Sequence, residues 1–314
     1  MIRTVRRYIG ALTTLALSAT VAPAAPAAPD VPAALAAPDV VVSIAPVHSL
    51  VAAVMEGVGE PRLLVPPGAS PHAFSLRPSD AQALANTHLV FRVGPDLETF
   101  LDKPLAALAS GTVVSLADAP GITEQRIPDQ HDGPGDHGDH GDHASDPHIW
   151  LSVANARRIA EIAAETLSRH DGENAAAYGR NLAALNDRLD GLQGELRDLL
   201  APVRKSPYIV LHDAYRHFEA AFDLAPATAI ALSPERRPGA RRLREIRDLL
   251  AAQDIKCVFA EPQFPNAIAA TVVSGTNATL AELDPIGADL AIGPELYFDL
   301  MKNLGRSLAG CLGN

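Results

Sequence analysis

The sequence predicts an α/β protein built as two α/β lobes with mostly parallel sheets, joined by one long connector helix. Three observations predict it. From Asp39 onward short β-branched runs alternate with amphipathic stretches, the pattern of βαβ units. Tyr178, Leu182, Leu185, Leu189, Leu192, Leu196 and Leu199 then recur at alternating spacings of four and three, a single apolar helical stripe. Beyond residue 206 the strand and helix alternation starts again. With 314 residues, 47% hydrophobic and 20% charged, the chain has ample material for such a core.

In the first lobe, residues 39–173, strands are expected at 39–44, 62–65, 88–93 and 112–116. Helical segments fall at 47–57, 79–87 and 97–110, the second opened by Ser79 with Gln82 three residues on, a capping-box spacing. Residues 129–146 change character: six Asp, four His, several Gly, and no Val, Ile, Leu, Phe, Tyr or Trp. Such a segment has nothing to bury and reads as a surface loop inserted in the first lobe. A helix over 152–170 follows. The Leu stripe predicts the connector, residues 174–202, about 40 Å long at 1.5 Å per residue. Gly191 and Gly194 leave open a two-helix hairpin broken at that point, since an interior glycine costs ~1 kcal/mol relative to Ala. The second lobe, residues 203–314, carries strands at 207–211, 226–231, 256–260 and 278–283, with helices near 213–222, 235–252, 265–274 and 294–310.

The N-terminus precedes all of this with Arg3, Arg6 and Arg7, an apolar run over 9–22, and an Ala/Pro stretch offering A-x-A sites. This is the pattern of a secretory signal peptide, here residues 1–28. Pro23, Pro26 and Pro29 interrupt the apolar run before it reaches the ~20 residues of a membrane anchor. The mature chain is expected to be soluble and exported, and loss of three arginines from a net charge of −11 leaves it at −14. An exported protein with only two cysteines is expected to pair them, so Cys257 and Cys311 should form a disulfide that ties the last helix to a strand. Two buried free thiols are the alternative. Thirty-seven acidic against 26 basic residues and 4% aromatics provide neither the basic footprint nor the stacking platform of nucleic-acid binding. The composition favours cations as partners.

Three candidate ligands fall at predicted strand ends, where ligand sites of open α/β sheets form: His212, Glu261 and Asp284. His72, in the loop 66–78, and His148, just before the helix at 152, are loop residues able to face a cleft. Three imidazoles with hard oxygens nearby suit Zn²⁺, whereas manganese would draw on more carboxylates. His131, His137, His140 and His143 in the Asp-rich loop read either as a weak zinc collector or as part of a solvated acidic insertion. His48 reads as part of a packed stripe with Val51, Ala52 and Met55, while His88, His170 and His217 read as strand-edge or helix-surface residues.

The segments Gly68-Ala69-Ser70-Pro71-His72-Ala73-Phe74-Ser75-Leu76-Arg77-Pro78-Ser79-Asp80, Asp146-Pro147-His148-Ile149-Trp150-Leu151-Ser152, His212-Asp213-Ala214-Tyr215 and Phe259-Ala260-Glu261-Pro262-Gln263-Phe264 occur in this order. Together with the His-rich insertion, the Leu283-Asp284-Pro285 step and the paired cysteines, they resemble the periplasmic zinc-binding proteins of ABC importers, the cluster A-I metal-binding family. The resemblance implies a metal bound in the cleft between the lobes by His72, His148 and His212, and delivery by a monomer to an ABC permease in the inner membrane. Manganese-binding relatives use Glu at the position of His212, which favours zinc over manganese or iron. Some zinc members carry an acidic residue just before the first histidine, where this chain has Pro71. Asp284 is then the expected fourth ligand, with water as the alternative and Glu261 either a ligand or a group orienting an imidazole. Because imidazoles bind metal only when neutral, affinity is expected to fall below about pH 6.5.

Three imidazoles with an open fourth position also describe a catalytic zinc site. The sequence has no HExxH, no GxSxG and no GxxxxGK[ST], so a hydrolase is the weaker reading, and no enzymatic activity is expected. An adhesin role, once described for relatives, has no anchoring segment to support it.

Overall fold

The computed structural model describes residues 37–107, 111–127, 145–231 and 238–313. Among the described residues eight strands form two four-stranded sheets. In the first, β1 (Val40–Val42), β2 (Arg62–Leu63), β3 (Leu89–Arg92) and β4 (Thr112–Ser115) lie in the order β2-β1-β3-β4. In the second, β5 (Ile209–His212), β6 (Thr228–Ala231), β7 (Cys257–Ala260) and β8 (Thr279–Glu282) lie in the equivalent order β6-β5-β7-β8. Every pairing is parallel, with Val41 opposite Val90 in one sheet and Val210 opposite Phe259 in the other.

The helices are α1 (Ala45–Met55), α2 (Pro78–Ala85), α3 (Asp102–Ala106), α4 (Val153–His170), α5 (Ala175–Leu200), α6 (Arg216–Phe222), α7 (Ala240–Ala252), α8 (Ala267–Val273) and α9 (Leu296–Leu312). Each strand sends alternate side chains to opposite faces, and the two faces of each sheet have different partners. Val41 and Val90 join a small cluster with Leu84 and Leu101 on the outer side of the first sheet. Ile209, Val258 and Ala260 join a second with Ile246 and Leu250 on the outer side of the other. The intervening residues, Val40, Val42, Leu89 and Phe91 from one sheet and Val210, Cys257 and Phe259 from the other, enter one shared core with α1, α4, α5 and α9. The lobes are therefore fused through apolar packing.

Helix α1 is buried along its whole length, as an all-apolar helix must be, and packs on α4, α5 and α9. It begins two residues earlier than expected, with Pro46 in its first turn, and gives way to a turn at Gly57, whose φ of 74° favours glycine. Helix α2 also starts early. Pro78 opens it and the Asp80 carboxylate accepts from the Arg77 N–H at 3.0 Å, so the Ser79 and Gln82 capping box expected from the sequence does not form.

The connector is one continuous helix of 26 residues, which excludes the hairpin. Gly191 and Gly194 lie inside it with open space where a Cβ would point, so neither breaks it. Its stripe of Tyr178, Leu185, Leu189, Leu192, Leu196 and Leu200 is buried, facing α1 and α4 at one end and α6 and α9 at the other. Asn181 Nδ2 donates to the carbonyls of Val54 and Glu56 at the end of α1. Arg188 pairs with Glu295 and stacks 3.9 Å above the Phe298 ring. Cys257 of β7 and Cys311 of α9 form the disulfide expected from the sequence. Among the described residues no helix is long and apolar enough to cross a membrane. Residues 1–28 and the loop histidines His131, His137, His140 and His143 lie outside the described residues.

Candidate metal centre

His212 is the last residue of β5, paired with Ala231, and Glu261 directly follows β7. In the order β6-β5-β7-β8 these two strands flank the point where chain direction across the sheet reverses, the usual ligand position of a parallel sheet. The His212 Nδ1 lies 2.6 Å from Glu261 Oε1 and both side chains are buried. A carboxylate accepts only, so Nδ1 carries the proton and Nε2 presents its lone pair forward.

His148 is held in the same way by Asp146, whose role its place in the Asp146-Pro147-His148 motif does not reveal. Asp146 Oδ1 lies 2.6 Å from the His148 Nδ1 and also accepts from the His148 N–H at 3.0 Å. The Pro147 between them fits this compact turn, which leads through Ile149–Leu151 into α4, capped by Ser152. Asp146 is buried, which raises its pKa, but the neighbouring His148 and His217 and the bonds from His148 outweigh burial and leave it below the ordinary carboxylate range. His217, expected on a helix surface, is instead buried, with Nε2 donating to the Asp146 carbonyl at 3.0 Å. Burial holds its pKa down and keeps the ring neutral. His88 and His170 are exposed, as expected, and His48 is packed in the core with Nε2 donating to the Pro61 carbonyl at 2.8 Å.

His72 comes from the loop between β2 and α2 and is only half-buried. Its Nε2 lies 3.3 Å from the His148 Nε2, which is in turn 3.3 Å from the His212 Nε2. Burial, then the nearness of His148 and His212, lowers its pKa to about 3, against a weaker opposing effect of Asp146. His72, His148 and His212 form the one group among the described residues with three ligand atoms close enough to share an ion, all within 4.8 Å of one another.

Asp284 does not join them. Its Oδ1 accepts from Gln263 Nε2 at 2.6 Å and from the N–H groups of Ile286 and Gly287, and its Oδ2 from the N–H of Ala288. Three N–H donors from its own tight loop and one from Gln263 keep the carboxylate turned into that loop. The loop presents the Pro285 carbonyl to Trp150 Nε1 at 2.7 Å, while Tyr297 OH donates to the Trp150 carbonyl at 2.9 Å. Trp150, the one tryptophan in the chain, lies 5.2 Å from the His148 ring between centroids and links the two lobes beside the site. The imidazoles open on a pocket of about 20 Å³, room for one ion or water, lined also by Ser70, Gln263 and Phe264.

Fold and site define a two-lobed α/β binding protein with a three-imidazole centre at the junction of its lobes. The chain belongs to the family described as the periplasmic component A of the zinc-uptake complex, which it matches over residues 40–311. It is 42% identical over 306 residues to the high-affinity zinc uptake system protein ZnuA of Brucella abortus strain 2308, covering 87% of this chain and 91% of that one. It is 37% identical over 288 residues to the protein of the same name from Yersinia pestis, with the same coverage. A crystal structure of ZnuA superposes with a TM-score of 0.76 at 26% identity, covering 88% of this chain and 99% of that one.

Proposed function

We propose that this protein captures Zn²⁺ in the periplasm and delivers it to an ABC permease in the inner membrane. The observation that carries the metal reading is the spacing of the three ring nitrogens. With their Nδ1 protons committed to carboxylates, His148 and His212 point two lone pairs at each other across 3.3 Å, an arrangement that calls for a cation between them. Two nitrogens bound to zinc at 2.0–2.1 Å in a tetrahedron stand roughly 3.3–3.4 Å apart. His72 completes the set, and the carboxylates of Asp146 and Glu261 orient imidazoles from behind. The names of the relatives, high-affinity zinc uptake proteins, support zinc as the cargo.

A site built on three imidazoles, with its carboxylates behind them and Asp284 turned away, favours zinc over manganese or iron. The family is an uptake component, which argues for capture in place of zinc hydrolysis. Residues 1–28 serve as the cleaved leader, 39–173 and 203–314 as the lobes, and 174–202 as the connector of a monomer. The loop 129–146 adds weak sites through His131, His137, His140 and His143. Competitive titration of the metal-stripped mature chain against a chromophoric chelator tests this reading. One tight Zn²⁺ with a large preference over Mn²⁺ is expected, and tight Mn²⁺ or no tight metal would overturn it.

A further inference from the structure

A second cavity, of about 530 Å³, lies against α1 and shares no wall residue with the imidazole centre. His48, Ala52 and Glu56 line it at spacings of four, along one face of the helix to its C-terminal cap, and Leu63 of β2 with Ile292 and Pro294 of the second lobe extends the wall. Its volume is that of a site for a small organic ligand. The His48 ring is buried, with Nε2 2.8 Å from the Pro61 carbonyl. A carbonyl only accepts, so Nε2 carries the proton and Nδ1 keeps a lone pair without a partner. Buried polar atoms are nearly always paired, and this one calls for a donor.

The polar side chains of this wall offer only acceptors. Glu56 and Glu60 are exposed and have no ion-pair partner among the described residues, and no lysine or arginine lines the cavity. Among the described residues only His72, His148 and His212 lie close enough to share one ion, so these acceptors do not make a second metal site. They are spread out instead. His48 and Glu56 stand about 12 Å apart along the helix axis, at 1.5 Å per residue, with Ala52 between them. Ile292, a large hydrophobic left 40% exposed, belongs to the same wall. Glu60 is near enough to His48 to oppose the lowering of its pKa by burial. Glu56 sits at the C-terminal end of α1, where the helix dipole also favours a cation. We propose that this cavity binds a linear alkyl diamine: one protonated amine donates to His48 Nδ1 beside Glu60, the other pairs with Glu56, and the methylene chain lies along Ala52, Leu63 and Ile292.

The test titrates the metal-free mature chain, with isotope-labelled isoleucine methyl groups and histidine rings, with diaminooctane, octylamine and diaminopropane. Diaminooctane should bind once per chain and move the Ile292 methyl resonance. The His48 Nδ1 resonance should shift upfield, as it does when an imidazole lone pair accepts a hydrogen bond. Octylamine, with one charge, and diaminopropane, too short to reach both ends, should each bind about fivefold more weakly or worse. Glu56→Gln, an exposed change that leaves the fold alone, should weaken diaminooctane about fivefold and remove its advantage over octylamine. Ile292→Ser should weaken both long amines and spare diaminopropane. Diaminooctane binding no tighter than octylamine, an unmoved His48 Nδ1 resonance, or an affinity indifferent to Glu56→Gln and Ile292→Ser would overturn the inference. Shifts at His72, His148 and His212 in place of Ile292 would overturn it too. The zinc reading stands or falls separately, since the cavity and the imidazole centre have no residue in common.

Discussion

The two sheets share one strand order and use it differently. In the second, the reversal point between β5 and β7 holds His212 and its orienting Glu261 on rigid strand ends. In the first, the same point between β1 and β3 is filled: Glu98, fully buried, accepts from the N–H groups of Val93 and Gly94 just past β3. Burial raises its pKa despite these bonds. Helix α1 then runs from that point into the shared core. The first lobe therefore supplies its imidazoles from loops, His72 after β2 and His148 before α4. His148 regains strand-like precision through Asp146 and His217, whereas among the described residues no carboxylate backs His72. One topology thus yields a rigid imidazole, a braced one and an unbraced one.

That contrast can be broken most forcefully at the ligands. Replacing His148 or His212 with Ala should weaken Zn²⁺ binding by more than the roughly 100-fold limit typical of orienting groups, with His72→Ala the mildest of the three by calorimetric competition. Equal losses at all three positions would erase the distinction between braced and unbraced ligands. The disulfide belongs to the second lobe alone, closing a separation of 54 residues. Its loss in a Cys257→Ser/Cys311→Ser variant should cost about 4 kcal/mol in denaturant unfolding on the chain-entropy relation, while zinc affinity stays near that of the parent. Next come the braces. Asp146→Asn and Glu261→Gln should each reduce zinc affinity roughly 10–100-fold, and a much smaller loss for Asp146 would show that the first-lobe turn holds His148 without it.

Acidification sharpens the comparison further. Burial holds the pKa values of His48 and His217 below 6.5, and burial with neighbouring imidazoles holds that of His72 at about 3. Below pH 6.5 the unfolded chain therefore binds protons that the folded metal-free chain refuses, so stability is lost as pH falls from 6.5. Each histidine contributes up to about 1.4 kcal/mol per pH unit, and His217→Gln should flatten the slope seen in urea titrations at stepped pH. The smallest effect is expected in the connector. Gly191→Ala, which adds a methyl group in open space, should stabilise the helix by up to ~1 kcal/mol.

Much of this arrangement was legible in the sequence. The apolar runs marked the inner strands β1, β3, β5 and β7 most clearly, because parallel strands covered on both faces must be apolar throughout, whereas the edge strands β2, β4 and β8 carry polar, exposed residues. The Leu stripe marked the connector because its period matches a helix, and the order of the motifs placed His72, His148 and His212. What escaped was set by contacts that no periodicity encodes. Asp146 was adjacent to a candidate ligand, but its role depends on a turn through Pro147 that brings it back onto the same ring. His217 sits on a short helix whose exposed face cannot be told from seven residues. Asp284 follows a strand and the resemblance makes it the expected fourth ligand, yet three backbone N–H groups of its own loop compete for the carboxylate and hold it. Local satisfaction of a buried polar group overrode the positional rule.

The central claim is that three imidazoles from the two lobes hold one zinc ion. X-ray absorption at the zinc edge of the loaded mature chain tests it most directly. Three imidazole shells with one additional oxygen, all near 2.0–2.1 Å, are the predicted result. A shell dominated by carboxylate oxygens, or one with fewer than three imidazoles, would contradict it.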